Sequence, residues 1–185
     1  VSATKEPRAE GYAIIFHVVE NPIVTDIVFR NAGQYAMHEF ERQMRVQRGQ
    51  VLNLVDLVED LRSLHPWVVE KYGRFAYVTN LEVDTQGVIM VELTEARLKD
   101  IQIVGNEKTK DFVIERELTF KPGDVVDLNE IDRSLRRVLM LGFFDEISRE
   151  FSQEEDPSET VLTISLKERK TGSATFGVAY SKGDG

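Results

Sequence analysis

The chain has 185 residues, 42% of them hydrophobic, enough to bury a core in one or two small domains. Asp and Glu number 32 against 23 Lys and Arg, and the resulting formal charge of -9 repels phosphate backbones, which excludes nucleic acid as a natural partner. There is no cysteine for disulfides or thiolate metal sites, and no apolar run approaches the about 18 residues of a spanning helix.

The chain opens on "YAIIFHVVENP", a strand pattern that matches the later "VIMVELTEAR" and "VLTISLKERK". Residues 1–22 are therefore expected to be the tail, ending in the last strand, of a domain that lies mostly upstream.

An internal repeat follows. Residues 25–61 align without gaps on 99–135, pairing Asp26 with Asp100, Ile27 with Ile101, Glu41 and Arg42 with Glu115 and Arg116, Gly49 with Gly123, Val51 with Val125, Leu54 with Leu128 and Leu61 with Leu135. Each copy starts with a short strand, "TDIVF" or "KDIQIV", which ends at Asn31 and Gly33 or at Gly105 and Asn106, residues that tolerate a tight exit. A helix is predicted next. Met37, Phe40 and Met44 form its stripe in the first copy; in the second, Val113, Ile114 and Leu118 do so, with Thr109 or Asp111 as cap. After a glycine turn, a second amphipathic helix buries Leu54, Leu57, Val58, Leu61 and Leu64, or Ile131, Leu135, Val138 and Leu139. The first copy is longer here; Pro66 should interrupt the helix and Gly73 end it.

Two strands close each copy, "RFAYVTNLEVD" with "GVIMVELTEA" and "FFDEISREF" with "TVLTISLKER", and their short connections make each pair an antiparallel hairpin. The unit is thus strand, helix, helix, strand, strand: a small sheet with one face under two helices. Domains are expected over 23–96 and 97–170, joined by the short "LTEARL", which favours a semi-rigid arm. Beyond them, Ala174, Phe176, Val178 and Tyr180 alternate with small residues, the pattern of a strand that crosses a bilayer in a β-barrel.

Catalytic readings find no support in the residues. His17, His38 and His65 are scattered, "HEFER" lacks the second histidine of a zinc-protease helix, and neither a nucleophile elbow nor a phosphate loop is present. The acidic "SQEEDPSE" lacks the ligand spacing of a calcium loop and reads as a hairpin turn. No catalytic, cofactor or metal residue is assigned, and a small α+β enzyme or metal-binding pair is the distant alternative.

Two successive units of this order, the Gly105-Asn106 turn, "VIERE", "LGFFDEI" and the junction "ERKTGSATFGVAY" resemble the polypeptide-transport-associated (POTRA) domains of BamA-type outer-membrane β-barrel assembly factors. The resemblance covers essentially the whole chain. It implies an α+β fold of tandem POTRA domains, each a three-stranded mixed sheet covered on one face by two helices, with 171–185 as the start of a transmembrane barrel. It further implies a non-enzymatic arm on the periplasmic side of the outer membrane. Its expected partners are unfolded outer-membrane β-barrel proteins, accessory subunits of the assembly machine and its own C-terminal barrel; a related secretion or import translocator is the alternative.

An unpaired sheet edge accepts an extended peptide through main-chain hydrogen bonds, with little demand on sequence. The strand after the second helix is the edge implicated in such domains, which places Ala76, Val78, Phe144, Glu146, Ser148 and Glu150 near peptide-binding edges. The opposing reading makes Asp145, Glu146, Arg149 and Glu150 guards against pairing. Arg133, Arg136 and Arg137 on the last helix are candidates for docking partners, or else a solvated helix face.

Overall fold

The structure is a computed structural model that describes residues 2–8, 11–17, 20–153 and 155–170. The run expected to open a barrel, 171–185, lies outside the described residues. The chain divides into two compact units, one of Val1–Arg97 with Val125–Leu128 and Glu155–Glu159, the other of Leu98–Asp124, Asn129–Glu154 and Thr160–Gly185.

At the start, β1 (Ser2–Arg8) and β2 (Gly11–His17) pair antiparallel as a hairpin on which Tyr12, Ile14 and Phe16 are exposed. The first unit continues with β3 (Asp26–Arg30), α1 (Met37–Glu41), α2 (Leu54–Arg62), α3 (Leu64–Tyr72), β4 (Ala76–Val83) and β5 (Val88–Glu95). Its sheet has the order β3-β5-β4, with β3 parallel and β4 antiparallel to the central β5. Ile89, Val91 and Leu93 alternate onto the helix-covered face of β5 and pack with Phe40, Leu57, Leu64 and Val68 in one core. Burying each such side chain contributes about 1.5–3 kcal/mol.

The second unit comprises β6 (Arg97–Val104), α4 (Asp111–Glu115), α5 (Leu128–Met140), β7 (Phe144–Gln153) and β8 (Glu159–Glu168), in the sheet order β6-β8-β7. Its buried residues are Leu98, Ile114, Phe120, Ile131, Leu135, Val138, Phe144, Leu162 and Ile164. Both units are therefore α+β, with small sheets and helices in the expected order.

The repeat reappears as matching hydrogen bonds. Val24 N–H donates to the Gln50 carbonyl at 2.8 Å and Gly49 N–H to the Val24 carbonyl at 2.7 Å; Leu98 with Asp124 and Gly123 with Leu98 repeat both at 2.8 and 2.7 Å. The exit from the first strand also matches. Gly105 stands at φ +86° and its counterpart Asn31 at φ +57°, so the first copy uses the residue best able to replace glycine in the left-handed region.

Several local expectations are corrected. The predicted first helix shrinks to the five residues of α1 or α4 before a chain of turns, and Lys110, rather than Thr109 or Asp111, stands at the N-cap of α4. Asn53 caps α2 by accepting from the N–H groups of Val55 and Asp56. Ser63 separates α2 from α3, so the break falls ahead of Pro66, which lies in the first turn of α3, whereas Gly73 ends α3 as expected, in the left-handed conformation. Leu54, Val58 and Leu139, expected in the core, are exposed at 52%, 42% and 42%.

Each long helix is tethered to the turn ahead of it. Buried Asp60 on α2 accepts from the N–H groups of Arg45 at 2.8 Å and Val46 at 3.0 Å; its counterpart on α5, buried Ser134, contacts Thr119 N at 3.3 Å. Replacing Asp60 by alanine strands two donors and should destabilise the first unit by about 1–3 kcal/mol. Trp67, the single tryptophan, sits 5.3 Å from the Phe40 ring and reports that loss as a lower urea midpoint in its fluorescence. In Gly105→Ala the new Cβ would lie 2.0 Å from the Leu166 carbonyl oxygen. That variant should melt the second unit early in circular dichroism while the Trp67 transition stays in place.

Candidate functional site

Because β5 and β8 hold the sheet centres, β4 and β7 each keep one long side without a strand partner among the described residues. Both edges carry a bulge beside the residues of interest, between Val78 and Asn80 on β4 and between Phe144 and Glu146 on β7. Such bulges bend an edge and locally interrupt its pairing surface. Ala76 and Phe144 are fully buried and serve the cores, Val78 is half-buried, and Glu146, Ser148 and Glu150 are exposed. Asp145 and Arg169 pair at 2.9 Å, and Glu146 and Lys167 approach to 3.7 Å across the β7/β8 ladder.

A groove runs beside each edge, between strand and helix. In the first unit it is a cavity of about 380 Å³ lined by Val58, Leu61, His65, Tyr77, Val78 and Leu81. The His65 ring stacks on Tyr77 with centroids 4.4 Å apart and planes 15° apart, and its Nδ1 lies 3.1 Å from the Ala76 carbonyl oxygen. Burial raises the Tyr77 hydroxyl above the ordinary tyrosine value, so this ring carries no charge in neutral solution.

The second unit has a smaller groove of about 200 Å³ at the same place, where Val58, Leu61, Arg62 and His65 become Asp132, Leu135, Arg136 and Leu139. Arg149 of β7 reaches over it to Asp132 of α5, Nε to Oδ1 at 2.6 Å and Nη2 to Oδ2 at 3.1 Å. One groove is thus largely apolar, with Arg62 among its lining residues, whereas the other is crossed by a bidentate ion pair. The sequence pattern had placed Val58 in the core and so missed its groove.

The three arginines of α5 separate. Arg133 and Arg136 are exposed, and Arg136 borders the groove. Arg137 is half-buried and donates to the Glu117 carbonyl and to Ser134 Oγ, both at 2.8 Å, so its guanidinium ties α5 to the turn after α4.

The POTRA family model, described as surface antigen variable number repeat, matches residues 96–169. The chain is 29% identical over 159 residues to the outer membrane protein assembly factor BamA of Neorickettsia risticii, covering 83% of this chain and 21% of that protein. The chain carries POTRA domains of the BamA type. It is also 26% identical over 183 residues to the chloroplastic outer envelope protein 80 of Arabidopsis thaliana, covering 94% of this chain and 25% of that protein. The fold matches POTRA1-3 of the periplasmic domain of Omp85 from Anabaena, with a TM-score of 0.73 at 23% identity over 92% of this chain and 75% of that one. The chain spans about a fifth to a quarter of the two full-length relatives.

In these POTRA units the helix-to-edge groove is built by the backbone repeat, and its chemistry is set by a few exposed side chains. The roles of the α5 arginines can be tested through stability. Arg133→Glu and Arg136→Glu should change it by less than about 0.5 kcal/mol. Arg137→Glu should cost about 1–3 kcal/mol by stranding the Glu117 carbonyl and Ser134, read as faster hydrogen exchange of the α5 amides.

Proposed function

We propose that this chain is the periplasmic arm of an outer-membrane β-barrel assembly or translocation factor, with POTRA domains at 23–96 and 97–170 carried by an outer-membrane barrel. Its work is binding rather than catalysis: it receives unfolded β-barrel precursors as added strands and docks accessory subunits. The observation that carries this reading is the open β4 edge beside an apolar groove, in a chain whose relatives include BamA of Neorickettsia risticii.

A precursor strand alternates apolar and polar residues. Laid against β4, its backbone takes up the unpaired N–H and C=O groups, and every second side chain enters the Val58, Tyr77 and Leu81 groove. Buried Ala76 and Phe144 anchor the two edge strands from beneath, while Val78, Glu146, Ser148 and Glu150 stand where an added strand would lie. Arg133 and Arg136 offer exposed charge for docking.

The test is an amide NMR titration with a peptide copied from an outer-membrane barrel strand, set against the same composition with its alternation scrambled. The alternating peptide should shift β4 amides at sub-millimolar concentration, and the scrambled one should need about tenfold more. Val58→Asp, which copies the second unit at an exposed position, should weaken the response without unfolding the chain. Equal, diffuse shifts from both peptides would overturn strand capture and leave the arm a scaffold.

A further inference from the structure

At the opposite side of each sheet the two units differ in one residue with a large effect. In the first unit, Arg48 of the turn after α1 spans two carboxylates: its guanidinium lies 2.8 Å from Asp26 Oδ1 on β3 and 2.7 Å from Glu41 Oε1 at the end of α1. This closes the opening between edge strand and helix, and beneath it Ile27 and Met44 are each 5% exposed.

The repeat keeps both carboxylates, as Asp100 and Glu115, but Pro122 stands in the place of Arg48. A cavity of about 450 Å³ lies there, lined by Asp100 and Glu115 together with Ile101, Ile103, Leu118 and Phe120. The counterparts of Ile27 and Met44, Ile101 and Leu118, are half-buried instead of buried. Lys121, the cation lining this cavity among the described residues, replaces Gln47 and makes no ion pair with either carboxylate.

We infer that the cavity between β6 and α4 is a docking site for an arginine side chain presented by a partner protein. Asp26 and Glu41 show what this pair of positions holds: a guanidinium across the mouth, over an apolar floor. Arginine matches better than a compact cation because its planar fork meets two carboxylates while its stem lies on apolar surface. The site adjoins β6, an outer strand of its sheet, so an extended partner segment has backbone beside it. This deepens the docking half of the proposed function and rests on it; β4 amides report strand capture separately.

The probe is an extended peptide of about ten residues with one central arginine among threonines and valines, titrated into the whole chain while methyl resonances are followed. Its twin carries citrulline, which keeps the shape and removes the charge. The arginine peptide should shift the Ile101 and Leu118 methyls and leave Ile27 and Met44 unmoved. The citrulline peptide, and the arginine peptide on Asp100→Asn or Glu115→Gln, should bind about tenfold or more weakly. Pro122→Arg, which restores the residue of the first unit in the same turn, should abolish the response by filling the site from within. Equal shifts from the citrulline peptide, full binding by the carboxamide variants, or no methyl shift at millimolar peptide would overturn the inference. Reproduction of the shifts by spermidine would overturn it as well, by making the site one for free polyamines.

Discussion

The pair of backbone hydrogen bonds that seats the turn at 49–50 against residue 24, repeated by 123–124 against residue 98, is the constraint on which the rest depends. It pins the turn following each short helix to the start of the first strand, so the long helix that follows must run back over the sheet. The closing hairpin then has one place to go. Its last strand pairs with the first strand, as β5 does with β3, and takes the centre of the sheet, while the strand before it is left on the outside. An outer edge is therefore a product of connectivity, present whatever side chains it carries. Open edges invite aggregation, and the bulges of β4 and β7, with the charge pairs that flank β7, limit that hazard without closing the edges.

Two copies of one backbone act as an internal control on chemistry. Asp60 and Ser134 tether the same helix to the same turn with different groups, one by accepting from backbone N–H groups and the other through its hydroxyl together with Arg137. Asn31 and Gly105 turn the same corner, but near Gly105 the Leu166 carbonyl leaves no room for a Cβ. These substitutions preserve geometry by alternative means. Changes at the grooves, Val58 to Asp132 and Arg48 to Pro122, alter what the surface offers and leave the backbone alone.

The element order was legible because its determinants are local: a glycine turn, a capped amphipathic stripe and short hairpin connections all occur twice at the same offset. What periodicity could not show is how wide a buried stripe is. Leu54 and Val58 fit the helical repeat as well as Leu57 and Leu61 do, yet a three-stranded sheet is too narrow to cover all four, and the two outermost stay in water. The same narrowness explains the short α1 and α4, which cover one end of the sheet and then turn. Arg137 illustrates the converse failure. Its neighbours in sequence made it part of a charged face, whereas its partners, Glu117 and Ser134, include one on another element that helical spacing does not reveal.

Considered together, the arginines show a pattern that neither unit reveals alone. In the first unit Arg48 bridges the β3 side of the sheet while the largely apolar β4 groove stays open. In the second, Arg149 bridges the β7 side and the β6 cavity keeps its carboxylates without an arginine. Each unit thus has one latched flank and one open flank, and the latched flank changes sides. An exposed pair of this kind contributes about 0–1 kcal/mol to stability, so moving it costs the fold little. Its consequence is steric and electrostatic: a bridged groove already holds a side chain where an incoming one would lie, and its charges are spent. On the proposed reading, placing one arginine chooses which flank of the repeated scaffold receives a partner, apolar alternation beside β4 or a cation beside β6.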